Sequence, residues 1–236
     1  MFNSDFAYRD GDIDLKGFIA YDDSNQNKRP AVIIAPDWTG RNQFSCAKAR
    51  QLAGLGYVGF AIDMYGNARL GADNDQKAAL MTPLVEDRVK LRQRIGAAFD
   101  AVRELPQVDE TKVIAIGYCF GGLCVLDLAR DGVDVKGVVS FHGLLSKPEA
   151  LENKAMTAKV LVLHGYADPM VAPEQVNQFC DEMTASNIDW QVHMYGNTLH
   201  AFTNPLANDP NFGTVYSQTA DERSWQATLG FIAELV

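Results

Sequence analysis

Apolar residues recur along this chain in two rhythms: short unbroken runs, and longer stretches spaced by three or four. The short runs predict strands at Pro30–Pro36 (Ala-Val-Ile-Ile-Ala between prolines), Tyr57–Asp63, Val113–Ile116, Val138–Phe141 and Val160–His164, and a further strand is predicted at Trp190–Tyr195. The Pro30 run, apolar on both faces, suits a strand covered on both sides, as parallel sheets require. The helical rhythm predicts Asn42–Leu55, with Leu52 and Leu55 facing inward and Gly54 and Gly56 ending it. It predicts Glu86–Glu104, apolar at Leu91, Ile95, Ala98, Phe99 and Val102, where Arg88, Arg92 and Arg94 are expected to solvate the outer face. Further helices follow at Leu123–Arg130, Pro173–Ser186 and Thr219–Val236, the last with Trp225, Leu229, Ile232 and Val236 on one side. Ahead of them, Phe6–Tyr8 and Ile13–Tyr21 flank Asp10-Gly11 as a hairpin does.

Strands alternating with helices from Pro30 onward imply right-handed crossovers and a doubly wound α/β fold. The sheet is expected to be mostly parallel, with the N-terminal hairpin antiparallel. No repeat, low-complexity tract or linker interrupts the chain, so one domain over residues 1–236 is expected. Asp22–Arg29 reads as a solvent loop. Residues 67–82 carry a weak helical pattern and read either as a lid over a cleft or as a surface excursion.

A formal charge of −9 removes nucleic acid and anionic membrane surfaces from the expected partners. No apolar run is long enough for a bilayer, and Met1–Asp10 lacks the pattern of a secretory signal. Cys46, Cys119, Cys124 and Cys180 show no metal-type spacing, and neither do the four histidines. Free thiols in a cytoplasmic setting are the simplest account, with no cofactor and no metal expected.

The chemistry centres on Val113 to Gly122, where a buried strand runs into Gly117-Tyr118-Cys119-Phe120-Gly121-Gly122 and then a helix. Such a turn lifts its central residue clear of the sheet, and its glycines admit backbone where a Cβ would collide. A thiol there sits at a helix N-terminus, whose N–H groups favour the thiolate. A phosphate loop is the weaker reading, lacking a Gly-Lys-Ser/Thr ending; a buried structural cysteine is the stronger alternative.

A nucleophile needs a base, and the base an orienting acid, delivered by later strands in the order nucleophile, acid, base. Asp168 lies in the loop after Val160–His164, and His200 in the exit loop of Trp190–Tyr195. His142 follows a strand and could line the cleft, His164 reads as a core hydrogen-bonder, and His193 lies mid-strand.

Those motifs, with His164-Gly165-x-x-Asp168-Pro169, His200-Ala201-Phe202, Gly56-Tyr57-Val58 and Asp63-Met64-Tyr65-Gly66, resemble the dienelactone hydrolase family over nearly the whole chain. The resemblance implies an α/β-hydrolase fold and a Cys119, Asp168, His200 triad. It implies an acid partner for the resting thiol at Asp37, usually glutamate, and an oxyanion hole from the backbone N–H groups of Trp38 and Phe120. It also implies arginines holding a substrate carboxylate, but Asn204 stands four residues after His200 and only Arg69 offers itself in the cap. The expected activity is therefore hydrolysis of a small-molecule ester or lactone through an acyl-thioester, by a monomer or small homo-oligomer. A general carboxylesterase or thioesterase, a thiol redox or sensor protein and a non-catalytic binding protein remain the alternatives.

Overall fold

The computed structural model describes residues 1–24, 26–148 and 151–236. Its strands are β1 (Phe2–Asp10), β2 (Ile13–Tyr21), β3 (Arg29–Ala35), β4 (Val58–Ala61), β5 (Val108–Tyr118), β6 (Gly137–Phe141), β7 (Lys159–Gly165), β8 (Trp190–Tyr195), and the short β9 (Asn208–Asp209) and β10 (Thr214–Val215). Its helices are α1 (Gln43–Gly54), α2 (Asn74–Glu86), α3 (Arg88–Arg103), α4 (Phe120–Arg130), α5 (Pro173–Ala185) and α6 (Gln218–Leu235).

Eight strands form one sheet in the order β1-β2-β4-β3-β5-β6-β7-β8. From β4 to β8 neighbouring strands are parallel, whereas β1 pairs antiparallel with β2, and β2 antiparallel with β4. This is the α/β-hydrolase arrangement with an N-terminal hairpin. Alternate residues of β3 divide between two cores: Ala31, Ile33 and Ala35 pack on one face of the sheet, Val32 and Ile34 on the other. Covering both faces is what makes these strands apolar at every position.

The helices refine several expectations. Residues 74–86 form a full helix whose N-cap, Asp73, accepts a bond from Gln76 N–H at 2.8 Å. Asp87 then breaks the chain between α2 and α3 and caps α3 by accepting from Lys90 N–H at 3.0 Å. Leu55 does not face inward; it follows the last turn of α1 and is 51% exposed.

The largest correction concerns the arginines of α3. Arg88, Arg92 and Arg94 are all buried rather than solvating an outer face. Arg88 donates from Nε and Nη2 to the two oxygens of Asp127, both at 2.6 Å. Arg130 meets the same carboxylate at 3.3 Å and Glu182 of α5 at 2.7 Å, and its Nη2 donates to Leu145 O at 2.9 Å. Arg94 pairs with Asp10 at 2.8 Å and donates to Met64 O at 2.7 Å. Every residue of α4 is buried, so these ionic contacts lock its C-terminal end to α3 and α5 inside the molecule.

Among the described residues, no helix is long and apolar enough to cross a membrane. Removing Asp127 leaves Arg88 and Arg130 buried without their shared counter-ion, which is far costlier than losing a surface pair. Asp127→Ala is expected to lower stability by about 3–5 kcal/mol in urea unfolding. A change within experimental error would show that the two guanidinium groups find other partners.

Candidate active site

The turn from β5 into α4 depends on backbone contacts that no side chain would allow. A Cβ on Gly117 would lie 2.0 Å from Gly121 O, and one on Gly121 would lie 2.2 Å from Ala35 O. Between them Cys119 adopts φ +54° and ψ −114°, a left-handed conformation that costs free energy for any residue with a Cβ. Its N–H donates to Phe141 O at 3.0 Å, and its O accepts from Gly122 N–H at 2.9 Å. The half-buried thiol therefore stands at the carboxyl edge of the sheet, at the N-terminus of α4.

Asp168 reaches the same edge from the β7 loop. Its own N–H donates to Gly165 O at 3.0 Å, and its Oδ1 accepts from Met170 N–H at 2.8 Å. His200 comes from the loop after β8, held on both sides by main chain: its N–H donates to Gly213 O at 3.0 Å and its O accepts from Val215 N–H at 3.1 Å. Gly213, at φ +84°, brings these loops into contact, since a Cβ there would meet Pro169 Cγ at 2.2 Å.

The structure brings the imidazole and the carboxylate together: His200 Nδ1 and Asp168 Oδ2 are 2.7 Å apart, both groups being buried. Burial alone would lower the imidazole pKa. The Cys119 sulfur, then the hydrogen bond and charge of Asp168, outweigh it and raise His200 to about 10. The buried Nε2 has no aligned hydrogen-bond partner among the described residues. Sulfur and ring nonetheless lie near enough for the Cys119 sulfur to raise the ring's pKa by its charge and its hydrogen-bonding capacity.

Aromatic side chains gather around the Trp38 loop. Trp38 follows β3 and stacks on Phe212 with centroids 6.0 Å apart; Lys77 of α2 lies 5.4 Å over the same indole. Tyr65 donates from its hydroxyl to Trp38 O at 3.0 Å and stacks on Phe120 at 6.0 Å, tying together the two residues expected to supply amides. Tyr65 is itself placed by buried Asp63, whose carboxylate accepts from the N–H groups of Lys16, Tyr65, Gly66 and Ala68. The Asp37 carboxylate accepts from Thr39 N–H at 2.8 Å and meets the Asn42 amide at 3.5 Å; the Cys119 thiol is not among its hydrogen-bond partners. Arg69 spends its guanidinium on Tyr65 O, and Asn204 Oδ1 accepts from Leu206 N–H at 3.0 Å. Sequence reasoning missed Phe212 and the bridging role of Tyr65; a lone aromatic in a polar loop and a tyrosine in a tight turn carry no periodic signal.

A model of the dienelactone hydrolase family matches residues 15–236. The chain belongs to that family. It is therefore a hydrolase acting on ester or lactone bonds. A dienelactone hydrolase-like promiscuous phosphotriesterase from metagenomic libraries is similar in structure at a TM-score of 0.94, with 37% identity, covering 99% of this chain and 98% of that one. The Caenorhabditis elegans protein K02A2.1 is 40% identical over 148 residues, 61% of this chain and 94% of its own length. A carboxymethylenebutenolidase homolog from Xenopus tropicalis is 24% identical over 203 residues, covering 84% of this chain and 79% of its own. Among the described residues of this hydrolase, no three His, Cys, Asp or Glu side chains gather as metal ligands.

The raised pKa gives a pH signature. Between the ordinary histidine value of 6.5 and about 10, native His200 binds a proton that the unfolded chain releases. Its contribution to stability is complete below that window and is lost as pH climbs through it. Cys119→Ala removes the sulfur charge, so the ring should titrate lower by NMR and the loss of stability across the window should flatten. An unchanged titration would mean that sulfur is not its electrostatic partner.

Proposed function

We propose that Cys119, His200 and Asp168 form a catalytic triad that cleaves small-molecule esters or lactones through an acyl-thioester, the whole chain working as one domain. The observation that carries this reading is the His200–Asp168 pair at 2.7 Å, with its ring charge governed by the Cys119 sulfur. With the thiol proton held on His200 Nε2, as the raised pKa of that ring favours, the sulfur attacks the carbonyl carbon. Asp168 accepts from Nδ1–H, fixes the tautomer and supports the imidazolium. The carbonyl oxygen, now an oxyanion, is received by the N–H groups of Trp38 and Phe120. Among the described residues neither amide has another acceptor, which supports this use of them. His200 then gives its proton to the departing alkoxide. With the alcohol gone it draws a proton from water, which cleaves the thioester and returns the sulfur, the proton remaining on His200.

Asp37 is assigned as partner of the resting thiol. Thr39 N–H occupies its Oδ1, leaving Oδ2 with only the long Asn42 contact among the described residues. The four cysteines are unpaired, which supports a reducing, cytoplasmic setting. An aromatic rim of Trp38 and Phe212, the latter 44% exposed, suits esters with an apolar or aromatic acyl or alcohol group.

The test is turnover of a p-nitrophenyl ester. Cys119→Ala is expected to lower kcat by about 10⁴ or more, and His200→Ala by a similar factor. Asp168→Asn should cost less than the loss of His200. An acyl group on Cys119 should be trapped by acid quench and located by mass spectrometry. Retained turnover in Cys119→Ala, or an acyl group on another residue, would overturn the proposal.

A second substrate class follows from the likeness to the promiscuous phosphotriesterase. The same thiolate attacking phosphorus would expel an aryloxide and leave a phosphorylated sulfur for water to cleave. Paraoxon is expected to release p-nitrophenol, as a burst of one equivalent or as steady turnover, and Cys119→Ala to abolish both. Release of none, by an enzyme active on esters, would restrict the site to carbonyl carbon.

A further inference from the structure

His142 is a buried histidine that the proposed mechanism does not use. It directly follows β6, whose last residue, Phe141, accepts the Cys119 N–H, so it grows from the strand that holds the nucleophile. Its ring then crosses to the loop of the imidazole. It lies edge-on to His200 with centroids 5.1 Å apart and edge-on to Phe202 at 5.0 Å. Its Nε2 is 2.8 Å from the hydroxyl of Thr203, which is buried too. One side chain thus grips three of the four residues from 200 to 203.

Two further features mark the position. His142 sits at φ +39°, a conformation that carries a cost for a residue with a Cβ, and its N–H is tied to Leu163 O at 2.8 Å. Its Nδ1, buried, has no partner among the described residues. A ring kept for structure alone would be served by phenylalanine, which buries without a polar atom to satisfy.

We propose that His142 is a positioning residue: a ring pinned by Thr203 that holds the His200 imidazole in the plane joining Cys119 to Asp168. This rests on the triad reading above. Asp168 fixes only one end of the His200 ring and leaves it free to rock about that bond; the edge of His142 closes that freedom. The charge state fits the task. Burial first, then the neighbouring His200 and His164, hold His142 well below the usual histidine range, with Tyr118 the remaining titratable ring beside it. A neutral ring can sit against the imidazolium that forms at His200, where a charged one would repel it.

The experiment compares His142→Ala, His142→Phe and Thr203→Val with His200→Asn as control. Each is read by kcat and KM on a p-nitrophenyl ester and by the low-field proton resonance of His200 Nδ1–H. His142→Ala is expected to lower kcat roughly tenfold to a hundredfold, the scale of a small misplacement at a reacting centre, with KM within about twofold. Its His200 resonance should broaden or vanish as the ring gains motion, while thermal unfolding stays cooperative. His142→Phe, which keeps the wall without the bond, and Thr203→Val, which keeps the ring without its pin, should fall between wild type and His142→Ala. Wild-type kcat and an unbroadened resonance in His142→Ala overturn the inference, and the triad reading survives if His200→Asn is inactive. An active His200→Asn instead removes the triad itself. Should His142→Ala fail to fold, wild-type kcat in both His142→Phe and Thr203→Val overturns the inference.

Discussion

A backbone approach closer than any side chain permits governs this molecule. At the turn into α4, Gly117 and Gly121 place main chain against main chain, and Gly121 also lies against the end of β3. That contact fixes three things together: the left-handed conformation of Cys119, the direction in which α4 leaves the sheet, and the distance from the thiol to the Trp38 loop. Strain at Cys119 persists only because its surroundings over-determine it. The N–H of Cys119 is bonded to Phe141, and its O is bonded to Gly122. Relaxing the turn would break these bonds and drive α4 into β3.

The same constraint explains why α4 is anchored in an unusual way. A helix buried on every side could slide or rotate between apolar neighbours at little cost, because dispersion contacts are non-directional. Asp127, shared between Arg88 and Arg130, with Arg130 passing on to Glu182, supplies direction. Buried ion pairs are a poor source of net stability, because desolvating the charges consumes most of the attraction. Their value here is registry: one rotation of α4 satisfies the guanidinium groups, and any other leaves them unpaired. The strained turn at one end and the ionic clamp at the other hold a single helix in one place.

Legibility in the sequence followed the same division. Continuous apolar runs marked the strands of the parallel sheet, because burial on both faces leaves no room for polar alternation. The glycine spacing around Cys119 marked the elbow, because only glycine fits there. Loop residues at successive strand ends pointed to Asp168 and His200 through topology alone. What periodicity missed was ionic or aromatic. Arg88 and Arg92 share the helical face of Leu91 and Ile95, a sign of burial that the expectation of a solvated outer face passed over, and no pattern names a partner on another helix. The signal was present on α4: Asp127 and Arg130 interrupt an otherwise apolar segment. The start of α2 carried a signal that was not read: Asp73 accepts from Gln76 N–H, and the Gln76 side chain accepts from Ala72 N–H at 3.2 Å. A flat hydrophobic pattern and Pro83 hid the helix behind it.

Electrostatics at His200 ties the cleft to the fold. Burial favours a neutral imidazole. The sulfur and the Asp168 carboxylate favour the charged form and outweigh it, so the ring holds the proton that the proposed mechanism needs it to deliver. A site with only the first influence would hold an inert thiol; one with only the second, open to water, would lose the focusing that a low dielectric provides. Both are met here because the loops carrying the charges are themselves buried and fastened by main-chain bonds, from Gly213 and Val215 to His200 and from Gly165 to Asp168. Rigid loops keep water from replacing protein as the partner of either group. The neutral ring of His142 completes that enclosure on the side where another water-accessible or charged group would undo it.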